Sequence, residues 1–164
     1  VAQTGGPAEL ADALAKAADP ATPAGLRAAV TTAVEESATR RKVPAPATAA
    51  TAVANLIRQK AGPAALRLAG AWKLEPLRDA LTAVPGTDAP ADDVRAAFDG
   101  LVALGGPMTK DALVGFARSA DASPAVRQRA VAALAAVDAE TAAALAAALL
   151  AGPTPPPDPA ELVA

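Results

Sequence analysis

Residues 121–134 read DASPAVRQRAVAAL, and this stretch decides the fold class. Ser123 stands directly before a proline, and both residues suit the start of a helix: serine caps the free N–H groups of the first turn, where proline is also tolerated. Val126, Val131 and Leu134 then recur at a helical spacing and not in the alternation of a strand. We therefore expect a short helix with one apolar face to begin directly after this serine.

The same phrase occurs four times in the chain. Each copy has a turn with a proline or a capping residue, then an aliphatic residue, an arginine and a small apolar patch. Successive copies are roughly 30 to 40 residues apart. The arginines of the four copies are Arg27, Arg67, Arg95 and Arg127. A second helical segment follows each copy, and these segments are residues 48–60, 75–84, 109–120 and 139–151.

Two short helices that repeat in this way cannot bury their own apolar faces, so neighbouring pairs must stack to form a continuous core. The pattern predicts an all-α fold, an α-solenoid of antiparallel helix pairs of the HEAT/armadillo type, with about four full repeats and a half-repeat at each end. The half-repeats are residues 8–18 and 159–164. We expect residues 1–164 to form a single domain and, because the sequence does not begin with methionine, to be a fragment of a longer chain.

Prolines and glycines divide the helical segments, and their neighbours predict where helices begin and end. Thr22 precedes a proline and Asp138 precedes an apolar run, so we expect both to be N-caps. Gly62 and Gly152 each follow an apolar run, which predicts that they end helices in the left-handed conformation that glycine adopts readily.

The composition disfavours most kinds of catalysis and cofactor binding. Cysteine and histidine are absent, which removes thiol and imidazole nucleophiles and the usual ligands of zinc, iron–sulfur clusters and haem. No phosphate-binding glycine motif is present. The adjacent acids Asp92 and Asp93 suit the first turn of a helix better than a catalytic pair. We therefore expect that this segment is not an enzyme and that it holds no cofactor or metal.

The charge and hydrophobicity patterns argue against nucleic acid as a partner and against a membrane span. The net charge is −2 with both signs interspersed, whereas surfaces that bind nucleic acid are normally basic. No apolar run reaches the roughly 18 residues that a membrane-spanning helix needs. We expect the partners to be proteins, or neighbouring domains of the same chain, with no nucleic acid and no membrane span.

The one tryptophan and the glycines inside helical segments are expected to serve packing. We interpret Trp72 as filling the space that surrounding alanines leave, although tryptophan can also anchor a partner protein. Gly70, Gly100 and Gly115 lie within helical segments, where glycine is less favourable than alanine by about 1 kcal/mol. Each is therefore expected to mark a close contact between helices.

The four repeated arginines have two interpretations. They could form a basic ladder for an acidic partner. We favour a structural role, in which each stem covers neighbouring alanines and each guanidinium pairs with an aspartate or a carbonyl of the adjacent repeat. Recurrence in every repeat supports the structural role, because a binding site is expected to vary from one repeat to the next.

The stretch at residues 121–134 resembles the first helix of a HEAT-like repeat of the phycocyanobilin-lyase type. The run that begins at Asp138 resembles the second helix of such a repeat, and the likeness extends over residues 20–151. It implies the fold described above. It does not imply the lyase activity of that group, because nothing in the sequence indicates a bilin site.

A narrower resemblance rests on residues 65–78, which read ALRLAGAWKLEPLR. This stretch is similar to the HEAT segment of large exported planctomycete-type proteins, which lies between a β-propeller dehydrogenase-like domain and a c-type cytochrome domain. The resemblance implies a periplasmic or exported parent protein, with haem c and electron transfer in a neighbouring domain. The haem-binding motif of that family has no counterpart in this chain, so no haem-binding residue is assigned here.

These observations predict a non-catalytic scaffold or spacer that mediates contacts between proteins or domains. The alternative is the helical segment of an exported c-type cytochrome or dehydrogenase-like protein. In stacked repeats the second helices usually line the concave face, which predicts the partner-contact residues Arg58, Lys60, Arg78, Asp79, Lys110, Asp111 and Arg118.

Overall fold

The computed structural model describes residues 6–152, which are helical with no strand among them. The all-α prediction is therefore confirmed for this part of the chain. The proline-rich stretch after Gly152 and the predicted half-repeat at residues 159–164 lie outside the described residues. The helices are α1 (Pro7–Ala18), α2 (Ala24–Arg40), α3 (Ala49–Arg58), α4 (Pro63–Ala71), α5 (Arg78–Ala83), α6 (Ala91–Leu104), α7 (Pro107–Arg118), α8 (Pro124–Ala135) and α9 (Ala139–Ala151), with 3₁₀ turns at Glu75–Leu77 and Val84–Gly86 on either side of α5.

Two of the predicted caps begin helices as expected. The Ser123 hydroxyl oxygen accepts a hydrogen bond of 3.3 Å from the Val126 backbone N–H at the start of α8. The Asp138 carboxylate accepts 3.0 Å and 2.8 Å bonds from the backbone N–H and the hydroxyl of Thr141 at the start of α9. These bonds satisfy N–H groups that the first helical turn leaves free.

Three other predictions about helix ends are wrong, two of them in position and one in backbone conformation. Thr22 does not cap α2; its hydroxyl donates instead to the Lys16 carbonyl at 2.6 Å, in the last turn of α1. Gly62 does adopt a left-handed φ of 94°, but it begins α4 and does not end α3. Gly152 directly follows the end of α9, as predicted, but its backbone is extended, at φ −72°, and not left-handed.

Lysines make the left-handed turns that end three successive helices. Lys42, Lys60 and Lys73 have φ values of 52°, 51° and 54°, and they are the non-glycine residues with positive φ between residues 6 and 152. After each lysine the next N–H bonds back across the helix end, as when the N–H of Ala61 donates to the Leu56 carbonyl at 3.0 Å. This is the Schellman pattern that glycine usually provides, so composition alone could not locate it.

Four helices form a row through the molecule. Along this row α2 contacts α4, α4 contacts α6 and α6 contacts α8. The remaining helices pack against members of the row: α1 on α2, α3 on α4, α5 on α6, and both α7 and α9 on α8. Every helix that carries a repeated arginine therefore lies in the row. Among the described residues no helix is long and apolar enough to cross a membrane.

The tightest step of the row joins α4 to α6 through two glycines. A Cβ atom built on Gly70 would lie 2.5 Å from the Gly100 carbonyl oxygen, and one built on Gly100 would lie 2.7 Å from the Leu66 carbonyl oxygen. The predicted close contact is confirmed at both positions. It is wrong for Gly115, which is exposed on α7 and would place a Cβ with nothing within 4 Å.

Trp72 belongs to the interior, as predicted. Its side chain is buried and its indole N–H donates to the Val43 carbonyl at 2.9 Å, which ties the end of α4 to the loop after α2. Phe98 of α6 packs edge-on against Phe116 of α7, with ring centroids 5.5 Å apart. Leu26, the aliphatic residue before Arg27 in the first copy of the repeated phrase, is exposed on the first turn of α2.

Candidate functional site

An open groove of about 530 Å³ lies between α6 and α8. One face of each helix forms a wall. The α6 wall consists of Arg95, Phe98, Asp99, Val102 and Ala103. The α8 wall consists of Arg129, Ala132, Ala133 and Ala136. We call this feature the α6–α8 groove.

The groove exists because the row is unevenly spaced. The step from α4 to α6 brings two backbones together at Gly70 and Gly100. At the next step α6 and α8 contact each other less extensively, and the positions of α8 that face the groove carry alanines, which fill little of the space between the helices. Phe98, which is only 1% exposed, lies at the floor of the groove.

Two guanidinium groups in this groove have N–H donors that form no hydrogen bond with the described residues. Arg95 is exposed and forms no hydrogen bond or ion pair with the described residues. Arg129 donates from one Nη to the Ala91 carbonyl at 2.8 Å, which leaves its other donors free. Asp99 is the acidic residue of the lining and forms no ion pair with Arg95, although it lies one turn away. Along each wall the arginine lies nearest the N-terminal end and an alanine lies nearest the C-terminal end. The lining is therefore cationic at one end of the groove and apolar at the other.

The environments of the other repeated arginines differ from that of Arg95. Arg27 donates to the carbonyls of Ala17 and Thr22 at 3.2 Å and 2.8 Å. Arg67 lies 3.7 Å from the Glu35 carboxylate of α2. Both contacts hold neighbouring helices together. Arg127 is half-buried, and its Nε atom has no hydrogen-bond partner.

The seven residues predicted to contact a partner are spread over several helices, and none lines the α6–α8 groove. Five of them are exposed: Arg58, Lys60, Asp79, Asp111 and Arg118. Arg58 donates to the Asn55 side-chain oxygen within α3. The other two, Arg78 and Lys110, take part in contacts between helices.

Arg78 is a structural residue, so we withdraw it from the predicted contact set. Its side chain is buried, and its guanidinium donates to the Thr109 hydroxyl at 2.6 Å, to the Gly105 carbonyl at 2.9 Å and to both carboxylate oxygens of Glu75. The prediction assumed one regular helix over residues 75–84. The structure has instead a 3₁₀ turn over Glu75–Leu77, and because such a turn has three residues per turn, Arg78 does not have the orientation that one continuous α-helix would give it.

Lys110 joins α7 to the start of α9. Its ammonium lies 2.5 Å from the Asp138 carboxylate. This hydrogen bond, followed by those from the backbone and hydroxyl of Thr141, holds the pKa of Asp138 well below its usual range. The same bond raises the pKa of Lys110. The pair therefore strengthens a helix cap and gives Lys110 a partner within the chain.

A smaller cavity of about 170 Å³ lies where α3, α4, α5 and α6 meet. Its walls include Leu66, Ala80 and Ala83, with Lys60 and Asp93 as the charged members of the lining. Asp93 is half-buried in the first turn of α6. Burial, and secondarily the neighbouring charge of Asp92, raises the pKa of Asp93.

Within residues 6–152 no cluster of three or more acidic, cysteine or histidine side chains could hold a metal ion. The repeated phrase in the sequence singles out Arg95, but it does not single out Arg129 or the alanines that complete the groove. Each of these looks like an ordinary member of a repeat, and only the helix spacing distinguishes them. Searches of family models, of curated proteins and of solved structures give no match to this chain.

Proposed function

We propose that this chain is a segment of a HEAT-like α-solenoid, built of antiparallel helix pairs, and that it acts as a non-catalytic scaffold. Its docking surface is the α6–α8 groove, and the occupant is a segment of a partner protein with acidic residues at one end and large apolar side chains along one face. The observation that carries the proposal is an open, largely apolar groove whose arginines have unused donors.

The order of helix contacts supports the solenoid. Row helices contact the row helix two positions away in the chain, and each carries at least one further helix against it. In a solenoid each repeat contacts its immediate neighbours, which produces this regular skipping of one helix. The repeated arginine phrase begins every row helix from α2 to α8, so the sequence period and the contact period agree.

The dimensions and chemistry of the groove support its occupant. The α6 wall extends from Arg95 to Ala103, a rise of about 12 Å, which matches roughly two turns of a docked helix. Alanine walls leave space for leucine or phenylalanine side chains of the occupant. Two arginines beside one aspartate give that end of the groove a net positive charge, which favours carboxylates through charge-assisted hydrogen bonds.

A second copy of this chain fits the groove poorly. Among the described residues the large exposed hydrophobic side chains lie apart from one another, with Leu26 on α2, Met108 on α7, Val137 after α8 and Leu150 on α9. The other exposed positions of α9 are mostly alanine. Alanine side chains meeting alanine walls would leave most of the groove unfilled, and unfilled space forfeits dispersion contacts. No described helix presents several large apolar side chains along one face, which favours a different protein as the occupant.

In the test, a photo-crosslinking amino acid replaces Ala132, which lines the groove. As a control, the same amino acid replaces Gly115, which is exposed on α7 outside the groove. A protein captured from Ala132 is purified, and its affinity is measured with the double variant Arg95→Glu, Arg129→Glu. The matched control is Arg118→Glu, an exposed arginine outside the groove.

We expect the double variant to weaken binding by at least about tenfold, because each charge-assisted bond contributes about 1.5–3 kcal/mol, and we expect the control to bind as the unmodified chain does. Equal binding by the double variant would overturn docking in the groove. Loss of binding in Arg118→Glu alone would instead favour the face predicted from the sequence.

A further inference from the structure

The cavity at the junction of α3, α4, α5 and α6 has a local structural cause. Helix α5 is only six residues long and ends in a 3₁₀ turn that contains Pro85. Ala80 and Ala83 project no more than a methyl group each towards the space beside α3. Leu66 of α4, which is 4% exposed, forms part of the apolar wall. The result is a pocket of about 170 Å³ with small, apolar sides.

Asp93 brings an unused carboxylate to this pocket. It is the third residue of α6, a position from which an acidic side chain often accepts a hydrogen bond from the N–H of the N-cap residue. The N-cap of α6 is Pro90, which has no N–H. Asp93 accordingly has no side-chain hydrogen bond or ion pair with the described residues, and burial raises its pKa.

The surrounding charge favours a positively charged occupant. Residues 79–93 form one side of the pocket and contain neither lysine nor arginine; of their four aspartates, Asp93 lines the pocket and the other three lie outside its lining. Lys60 is the cation of the lining; it lies in the loop after α3, is exposed, and forms no ion pair with Asp93. A positively charged group at Asp93 would gain a partner for a half-buried carboxylate, which is otherwise costly to leave unpaired.

We propose that this pocket binds a small organic ammonium ion with a compact apolar body. The ammonium group donates to the Asp93 carboxylate, and the apolar body lies against Leu66, Ala80 and Ala83. The volume suits such a ligand, because apolar cavities of about 150 Å³ accept benzene. The site is separate from the α6–α8 groove and does not depend on the scaffold function.

The test is a titration followed by NMR, with benzylamine as the probe and with benzyl alcohol and benzoate as neutral and anionic analogues of the same body. We expect benzylamine to bind with saturable shifts of the Leu66 and Ala80 signals. Asp93→Asn should weaken this binding by about tenfold or more, because it removes the charged acceptor. Asp92→Asn is the matched control: it removes the same charge from the same helical turn, but that residue does not line the pocket.

Two further variants should change benzylamine binding in opposite directions. Lys60→Met should tighten benzylamine binding, because it removes a like charge from the rim. Ala80→Leu should abolish binding without a change of charge, because it fills the pocket. Binding should also fall on acidification as Asp93 is protonated, beginning at a higher pH than an ordinary aspartate would give, since its pKa is raised.

Three results would overturn the proposal. The first is no saturable shift with benzylamine in the unmodified chain. The second is binding of benzyl alcohol or benzoate as tightly as benzylamine, which would make the ammonium group irrelevant. The third is an equal effect of Asp93→Asn and Asp92→Asn on benzylamine binding. That result would show that Asp93 acts only as a distant charge and does not contact the ammonium group. The same spectra show whether each variant is folded.

Discussion

Gly70 of α4 and Gly100 of α6 hold their helices at backbone contact. A Cβ atom on Gly70 would lie 2.7 Å from the Gly100 Cα and 2.5 Å from its carbonyl oxygen, distances that no side chain can occupy without movement of one helix. Both glycines are buried in the middle of the row. Their conformational cost in a helix is therefore offset by the close packing that only glycine allows.

This contact predicts opposite outcomes for glycine-to-alanine substitutions. Gly70→Ala should lower the free energy of unfolding by about 2 kcal/mol, because overpacking against a backbone cannot be relieved by a side-chain rotation. Gly115→Ala should raise it by up to about 1 kcal/mol, since that exposed site has room and alanine is the better helix former. Urea unfolding measures both. Equal effects of the two substitutions would contradict the close contact.

The left-handed lysines offer a second matched pair. Lys42→Gly should raise the free energy of unfolding by a few tenths to about 1 kcal/mol, because glycine adopts positive φ without the usual penalty, partly offset by its freedom in the unfolded chain. Lys73→Gly should raise the free energy of unfolding by less, or not at all. Its ammonium donates to the carbonyls of Ala103 and Leu104 at the end of α6, and the substitution removes those bonds. Thermal unfolding of the two variants side by side decides the point.

Thr109 should be sensitive to loss of its hydroxyl group. It is fully buried, accepts a bond from Arg78, and donates to the Leu101 or Gly105 carbonyl at 2.9 Å or 2.8 Å. Thr109→Val keeps the shape but leaves a buried guanidinium donor without its partner, which should cost about 1–3 kcal/mol. The control is Thr39→Val, where the hydroxyl is exposed. Similar denaturation midpoints for both variants would show that the buried bond contributes little.

Asp138 should make the stability of the chain dependent on pH in the acid range. Its pKa in the folded protein is lowered by Lys110 and Thr141, so it binds its proton less readily folded than unfolded. Its contribution is therefore complete above the unfolded pKa of about 3.9 and is lost as the pH falls towards the folded value. Asp138→Asn retains a capping oxygen but not the charge, and it should flatten this part of the pH profile.

The pH dependence is measured by urea unfolding at a series of pH values. Asp12→Asn is the control, because Asp12 is exposed on α1 and forms no ion pair with the described residues. The control should keep the acid slope of the unmodified chain. A slope that is unchanged in Asp138→Asn would show that the bond to Lys110 contributes no stability.

The proposed solenoid predicts that damage to the core stays local. Leu134 of α8 and Leu68 of α4 are both fully buried, and truncation to alanine should cost about 2–5 kcal/mol at either site. In a stack of repeats, Leu134→Ala should speed amide hydrogen exchange in α8 and α9 while α2 and α4 stay protected, because each repeat contacts mainly its neighbours. Uniform loss of protection in all helices would contradict the solenoid.

Helix positions could be predicted from the sequence because their signals are local. Pro124 after a serine begins α8, and the segment predicted at residues 139–151 is α9 as the structure has it. The segment at residues 75–84 is helical too, but 3₁₀ turns lie on either side of α5, and Arg78 is buried where an exposed residue was expected. The turns at lysines were missed because most lysines in proteins do not adopt positive φ.

The groove could not be predicted, because it depends on distances between helices that are far apart in the chain. Arg95 looked like Arg67 in the repeated phrase, yet one is free and the other pairs with Glu35. What separates them is the neighbouring row helix, not the local sequence. The resemblance to planctomycete-type proteins, with haem in a neighbouring domain, stays a prediction that no described residue tests.

The unequal steps of the row also have a mechanical consequence. Where Gly70 meets Gly100 the two backbones are already in contact, so we expect that junction to resist further compression. The junction of α6 and α8 is separated by a gap of about 530 Å³, so a load along the row would bend it there first. An occupant in that gap would stiffen the row, which would then transmit force more directly from α2 to α8.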